Sequence, residues 1–294
     1  MGIAKSTKSK LAGLLKFIPD KMYIQIRYFL SFHRFVNFKN PQTYNEKLQW
    51  LKVNMKNDLY QDLVDKIKVR EYVEKIIGKE YLVPVLGVWD CVEDIDFDSL
   101  PERFVLKCTH DSGSVYICKD KSKEDFQKIR ERFSGYMKRN LYYNGREWPY
   151  KNLTPRVYAE EYLEDSTYRE LRDYKLFCFN GVVKMFKIDW GRFTDHRANY
   201  YDADGNLLPF DEQGLPRSEE AGIKVPETLK SMIESAQKLI KGFPFARVDF
   251  YDVNGKVYFG EITFFPGSGF RRIEPAEWDY RIGQWIVLGD KTKE

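Results

Sequence analysis

The feature that most constrains this chain is a pair of alternating runs near its end, "GFPFARVDFYDVNGKVYFGEITFFPGSGF" (Gly242 to Phe270), divided by Asn254-Gly255. Period-two alternation on either side of an Asn-Gly pair predicts an antiparallel hairpin, because strand side chains alternate faces and Asn-Gly tolerates the positive φ of a tight turn. One face of the first run then carries Phe245, Arg247, Asp249 and Tyr251, and the second run groups Phe259, Glu261 and Thr263. Which of these meet depends on the loop. A two-residue Asn254-Gly255 turn pairs Asp249 with Gly260 and sends Glu261 to the far side. A three-residue Val253-Asn254-Gly255 loop suits Asp252 before it and Gly255 as its left-handed closing residue; it puts Arg247 opposite Glu261 with Asp249 diagonal to it, about 5–8 Å away. We adopt the second register, which makes the three side chains one polar cluster. A surface stripe with a cross-strand ion pair is the plain alternative.

Upstream, "NPQTYNEKLQWLK" predicts a helix capped at Thr43 with Glu46 three residues on. "LYQDLVDKIKVREYVEKIIG" continues with helical spacing to Gly78, and "YLVPVLGVWD" predicts a short buried strand. "FVLKC" and "VYICK" predict strands about the small polar loop from Thr109 to Ser114, followed by a charged helix from Ser122 to Arg139. "PRVYAEEYLED" reads as a strand entering a connector, and "DYKLFCFNGVVKMFKID" as a hairpin about Asn180-Gly181. "PETLKSMIESAQKLIKG" has proline at its start and glycine at its end, the asymmetry of a helix.

At 294 residues, 43% hydrophobic and 31% charged, the chain is long enough to bury the core of an enzyme. No run approaches the roughly 18 apolar residues of a membrane span, and the first residues lack the apolar core of a signal peptide, so export is not expected. Four cysteines without CxxC spacing and three histidines offer neither a zinc site nor a disulfide framework, a composition suited to a reducing cytoplasm. A net charge of +4 is too mild for a dedicated nucleic-acid binder. The first residues mix Lys5, Lys8, Lys10, Lys16 and Lys21 with Leu11, Leu14, Leu15, Phe17 and Ile18. This segment reads either as a peripheral contact with the anionic inner face of a membrane or as the basic end of an ordinary packed helix. Met1-Gly2 with Ser6 also fits a myristoylation pattern, one short enough to arise by chance.

Several polar positions invite chemistry. Lys107 precedes the loop around Gly113, where backbone amides and a lysine can cup phosphate oxygens; a surface hairpin with a strand lysine is the plain reading. Asp173 and Lys175 share a strand face, and Glu160-Glu161 precede an apolar connector. Taken in order, "NPQTYNEKLQWLK", "DKIKVREYV", "FVLKCTHDSGS", "DYKLFCFNG" and "YFGEITFFPGSGF" resemble the TupA-like ATP-grasp family of bacterial polysaccharide biosynthesis, over nearly the whole chain from Asn40.

The resemblance implies an α+β ATP-grasp fold, two α+β subdomains clamping ATP behind an N-terminal helical extension. Its parts would be a helical extension over 1–60, a helix and strand region over 61–100, the small subdomain with the phosphate loop over 101–164, and the large subdomain with the metal-binding hairpin over 165–294. It implies ATP and Mg²⁺ as cofactors. Lys66 and Lys107 would hold phosphates under a loop closed by Ser112 and Gly113. Glu160, Glu161, Tyr162 and Leu163 would present backbone to adenine, Asp173 would meet the ribose and Lys175 a phosphate. Asp249 and Glu261 would bind magnesium, with Thr263 standing where the family has asparagine, and Arg247 would steady the transferring charge. Asp111 replaces an expected glycine, and its charge beside a triphosphate predicts either that it turns to solvent or that the loop works differently. The implied activity is a carboxylate-amine ligase working through an acyl phosphate, joining a uronic acid or similar sugar to an amino acid or small amine. Arg192, His196, Arg197, Arg271 and Arg272 are cationic candidates for substrate groups, and solvated surface charge is the plain reading of each.

Two other classes stay open. Asp202-Ala203-Asp204 and Asp96-Phe97-Asp98 spell the Asp-x-Asp of metal-dependent glycosyltransferases, although Gly205-Asn206 after the first reads better as a turn. An ATP-grasp phosphotransferase acting on a sugar or alcohol is the other.

Overall fold

The protein is described by a computed structural model over residues 17–166, 171–191, 195–218 and 225–289. It divides into two compact units, one of Met1–Lys56 with Asp165–Glu294 and a second of Asn57–Glu164. Among the described residues the first unit begins with α1 (Asp20–Phe32) and α2 (Tyr44–Asn54). The second contains α3 (Leu59–Val64), α4 (Val69–Ile77), β1 (Val85–Trp89), β2 (Phe104–Cys108), β3 (Val115–Cys118), α5 (Phe126–Met137), α6 (Tyr142–Gly145) and β4 (Val157–Glu161). The chain then returns to the first unit with β5 (Asp173–Phe179), β6 (Val182–Trp190), β7 (Arg197–Asp202), β8 (Asp211–Glu212), α7 (Leu229–Leu239), β9 (Phe245–Val253), β10 (Lys256–Thr263), β11 (Ile273–Glu274) and α8 (Glu277–Gln284). Antiparallel sheets packed by helices make the fold α+β, as the resemblance implies.

The second unit is built on a four-stranded sheet in the order β1-β4-β2-β3. Phe104, Leu106 and Cys108 of β2 and Val157 and Ala159 of β4 bury one face with Ile129 and Phe133 of α5. Alternation therefore gives Lys107 and Glu160 to the other face. The charged helix is shorter than its sequence pattern. Asp120 caps a single turn at Lys121–Lys123, and Asp125 then accepts the Lys128 amide at 3.1 Å to start α5 afresh.

The first unit carries a five-stranded sheet ordered β10-β9-β5-β6-β7. Asn180-Gly181 and Asn254-Gly255 both adopt positive φ and turn the chain tightly between strands. One face is apolar, with Leu176, Cys178, Phe186, Ile188, Ala246, Val248 and Phe250 buried on the side where α7 packs against β5 and β6. The other is mixed, with Phe177, Phe245 and Met185 below a row of charged residues. Helix α2 begins with a full capping box, Thr43 Oγ1 accepting the Glu46 amide at 3.2 Å and Glu46 the Thr43 amide at 3.2 Å. Even its polar Asn45, Gln49 and Lys52 are buried, reaching Asp279 and the carbonyls of Ser268 and Gly269. Gly283 of α8 lets that helix approach the start of α2, since a Cβ there would lie 2.3 Å from the Gln42 carbonyl oxygen.

The hairpin differs from the adopted register. Lys256 pairs with Val253, so the loop is the two-residue Asn254-Gly255 turn. Between Phe259 and Glu261 the ladder skips, leaving Gly260 as the extra residue of a bulge. The bulge restores the parity that the short turn removes. Glu261 stands across from Asp249 and Thr263 across from Arg247, rather than Glu261 from Arg247.

Candidate active site

Within the second unit, Lys107 of β2 forms an ion pair with Glu160 of β4, both largely buried. Lys66 follows α3, its amide donating to the Thr109 carbonyl at 3.1 Å and its ammonium to the Asp111 carbonyl. Asp65 ties this corner to β4, accepting the Ile67 and Lys68 amides at 2.9 and 3.0 Å and meeting Arg156 at 3.4 Å. Asp111 does not turn to solvent. It is buried, and its carboxylate accepts the Ser114 hydroxyl, which folds the charge back into its own loop. Ser112 and Gly113 form the exposed tip, with Gly113 at φ 85°. Glu160 and Glu161 end β4, Glu161 donating its amide to the Pro84 carbonyl at 3.0 Å, and Tyr162 and Leu163 follow half-buried.

Within the first unit, pairing across the sheet sets Glu261, Asp249, Lys175, Lys187 and Tyr200 side by side, one from each strand. Lys175 contacts Asp249 at 2.7 Å and Asp173 at 2.9 Å. Arg247 grips Asp249 with Nε at 2.6 Å and a terminal nitrogen at 2.7 Å, and the same nitrogen reaches Glu261 at 3.0 Å and Thr263 at 3.1 Å. Burial alone would raise the Asp249 carboxyl, but Arg247 and Lys175 hold it down to about 2. Burial likewise works against the Lys175 ammonium, yet Asp173 and Asp249 raise it above the ordinary lysine range. These residues are charged in the fold because they neutralise one another, in the manner of any buried ion network.

Among the described residues no three acidic, histidine or cysteine side chains gather as a metal site. Two carboxylates with a hydroxyl nevertheless match magnesium, which takes one or two protein carboxylates and completes its shell with water and phosphate oxygens. Glu261 is the more open donor, with 35% of its side chain exposed against 3% for Asp249.

The cationic substrate candidates separate. Arg271 meets Glu212 at 2.6 Å, His196 lies 3.5 Å from Asp189, and Arg197 turns to exposed Asp195 at 2.7 Å. Arg272 donates to the Ser31 carbonyl at 2.6 Å. Arg192 lies outside the described residues. Reasoning from sequence missed Lys187, Asp189 and Glu212. Lys187 sits 3.3 Å from Asp189 and 3.8 Å from Glu212, and burial lowers its pKa despite both carboxylates. The signal for Lys187 is its place in the alternation of "VVKMFKID"; Glu212 stands in a stretch without periodicity to mark it. Both Asp-x-Asp triplets are turns: Asp202 accepts the Asp204 and Asn206 amides, and Asp96 those of Asp98 and Ser99.

A family model described as TupA-like ATPgrasp matches residues 46–287. No curated protein matches the chain significantly. Among solved structures it is similar to D-alanine–D-alanine ligase from Bacillus anthracis, at 16% identity and a TM-score of 0.38 over 69% of this chain and 57% of that one. It is also similar to N5-carboxyaminoimidazole synthetase from Staphylococcus aureus complexed with ADP, at 15% identity and a TM-score of 0.43 over 74% and 50%. A third likeness is to D-alanyl-alanine synthetase A from Vibrio cholerae, at 12% identity and a TM-score of 0.43 over 76% and 60%. The chain thus spans between half and three fifths of the length of these structures.

Proposed function

The chain belongs to the TupA-like ATP-grasp family, and from that premise we propose that it is an ATP- and magnesium-dependent carboxylate-amine ligase. The observation that carries the reading is the row of Glu261, Asp249 and Lys175 on adjacent strands, bridged by Arg247. Its substrates are a uronic acid or similar sugar of a bacterial capsular or exopolysaccharide precursor and an amino acid or small amine.

In this reaction a carboxylate oxygen attacks the γ-phosphorus and ADP leaves. The amine nitrogen then attacks the acyl carbon, loses its proton, and expels inorganic phosphate, closing the amide. Glu261 and Asp249, with Thr263, would hold magnesium, which when bound would supply charge neutralisation at the phosphates. Arg247, fixed by three partners, is preorganised to meet negative charge building at the acyl group. Lys175 keeps Asp249 ionised. Within the second unit, Lys107 exchanges Glu160 for a phosphate oxygen, Lys66 adds a second cation, and the exposed Ser112-Gly113 tip offers backbone amides. Glu160 to Leu163 present backbone to adenine, and Asp173 meets the ribose.

None of the described helices is long and apolar enough to cross a membrane. A cytoplasmic protein with a peripheral foothold fits α1, which leaves Met22, Ile26, Phe29 and Leu30 exposed. The lysines before Phe17 lie outside the described residues.

Incubation with ATP, magnesium and a panel of uronic acids and amines tests the activity. Equal release of ADP and phosphate is expected, with a product whose mass is the two substrates less one water. Release of a nucleoside diphosphate from a sugar donor, without ATP consumption, would instead establish glycosyl transfer. Phosphate retained on a sugar would establish a kinase.

A further inference from the structure

The loop between β2 and β3 buries side chains that no step above uses. Thr109, His110 and Asp111 follow one another there, and among the described residues Thr109 Oγ1, both ring nitrogens of His110 and Asp111 Oδ1 make no hydrogen bond. Buried polar atoms without partners are costly, and a run of them on three consecutive residues marks a loop that is not in its only conformation. The adjoining backbone is well held. The Thr109 amide donates to the Arg156 carbonyl at 3.0 Å, and the Cys108 amide to the Ser114 carbonyl at 3.1 Å. His110 decides the chemistry. Its ring faces the Tyr136 and Arg139 carbonyls at the end of α5 without closing a hydrogen bond to either. A neutral imidazole offers one donor and one acceptor, whereas a charged one offers two donors, so a pair of carbonyls suits the imidazolium. The negative end of the α5 dipole and the Asp111 carboxylate favour it too. Burial outweighs them, with the Lys66 ammonium on the same side, and holds the pKa of His110 below the ordinary histidine value. Of the other charged or titratable groups on the packed elements, Arg139 adds a guanidinium after α5, Cys108 of β2 has its thiol pushed up to about 12 by burial, and Arg156 turns to Asp65 at 3.4 Å.

We propose that His110 is a positioning residue of the phosphate loop, taking a proton from solvent when a triphosphate docks and so fixing the loop in its occupied conformation. The proposal rests on the reading of this loop as the phosphate site. A docked phosphate at the Ser112-Gly113 tip brings negative charge within a few residues of the ring, and in a partly dehydrated interior such a charge favours the imidazolium. To reach that phosphate, Lys66 releases the Asp111 carbonyl and spends its charge on the ligand. Once charged, the ring can donate from both nitrogens to the α5 carbonyls, with the Asp111 carboxylate beside it as counter-charge. Atoms unmatched in the empty loop are then matched in the occupied one. The sign of the linkage follows. Because the bound state holds the extra proton, affinity is greatest at low pH and is lost as pH rises through the pKa of the ring in the complex.

ATP with magnesium in excess is titrated by calorimetry into the full chain at pH 7, in PIPES, MOPS and Tris. The slope of the observed heat against the ionisation heat of the buffer counts protons. About 0.3–1 proton taken up is expected for the parent chain and close to none for H110Q. From pH 6 to pH 8 the parent chain should lose about threefold to tenfold more affinity than H110Q. A purely structural role would lower the melting temperature of H110Q and leave its proton count equal to that of the parent. Should H110Q fail to fold, the parent chain decides alone. It has three histidines, so once His33 and His196 are identified through H33Q and H196Q, the remaining imidazole ¹H–¹³C resonance is His110. That resonance should move from its neutral to its charged position as ATP saturates. Equal proton counts in parent and H110Q, or a His110 resonance that ATP does not move, overturn the proposal while leaving the phosphate site standing. Absence of ATP binding at every pH overturns the phosphate site and the proposal with it.

Discussion

Arg247 and Lys175 make the two proposed metal carboxylates unequal in a way that variants can read. Asp249 is wedged between both cations, so Asp249→Asn leaves buried positive charge unmatched and should cost about 3–5 kcal/mol of stability. Glu261→Gln changes a partly exposed group and should move stability by less than about 1 kcal/mol. Both should lower magnesium-dependent ADP release on the order of a hundredfold. Urea unfolding and turnover measured on the same samples check the pair; full activity in either would remove that carboxylate from the metal site. Glu212 makes a second prediction, about pH. Its folded pKa of about 2 lies below the ordinary 4.5, so its stabilisation is complete above 4.5 and disappears as pH falls through about 2. Urea midpoints compared at pH 6 and pH 3 should fall less steeply for Glu212→Gln than for the parent chain.

The elements show where a local reading succeeds and where it fails. Gly283→Ala would drive a Cβ into backbone at Gln42 and Thr43, costing about 1–3 kcal/mol as α8 is pushed from α2. A melting temperature lowered by several degrees is the expected result, and an unchanged one would mean that the contact yields freely. Helix α1 is tested by Phe29→Asp with Leu30→Asp, both exposed, which should abolish cosedimentation with anionic vesicles and leave melting unaltered. Equal sedimentation of parent and variant would end the membrane foothold. The capping box of α2 and the Asn-Gly turns were legible because their signals are local. The bulge was not: alternation reads every residue as one step along a strand, and the only clue to an uncounted one was a glycine, Gly260, inside the run. The cluster of Arg247, Asp249, Glu261 and Thr263 is thus reached through the wrong turn, a three-residue loop where the chain makes a two-residue one. Lys187, Glu212 and Tyr44 come together through sheet order β5-β6-β7 and the return of α2, neither of which a single sequence displays.

The whole molecule interrupts one unit with another. Asn57–Glu164 is continuous and has its own core of Phe104, Leu106, Phe133 and Val157, whereas α2 and α8 close contacts such as Asn45 to Asp279, 234 residues apart. Closing long loops slows folding, so local pairings such as β2 with β3 should precede these. Pulsed hydrogen exchange during refolding should therefore protect the amides paired between β2 and β3 before the Asn45 amide, which donates to Asp279; the reverse order would defeat the argument. The same topology governs birth on the ribosome. Translation delivers α2 well before α8, so the nascent chain carries the buried side chains of α2 unclothed while the inserted unit is completed. Leu48, Trp50 and Leu51, buried in the finished protein, are for that interval an invitation to chaperones, and a pause in synthesis before α8 would prolong it.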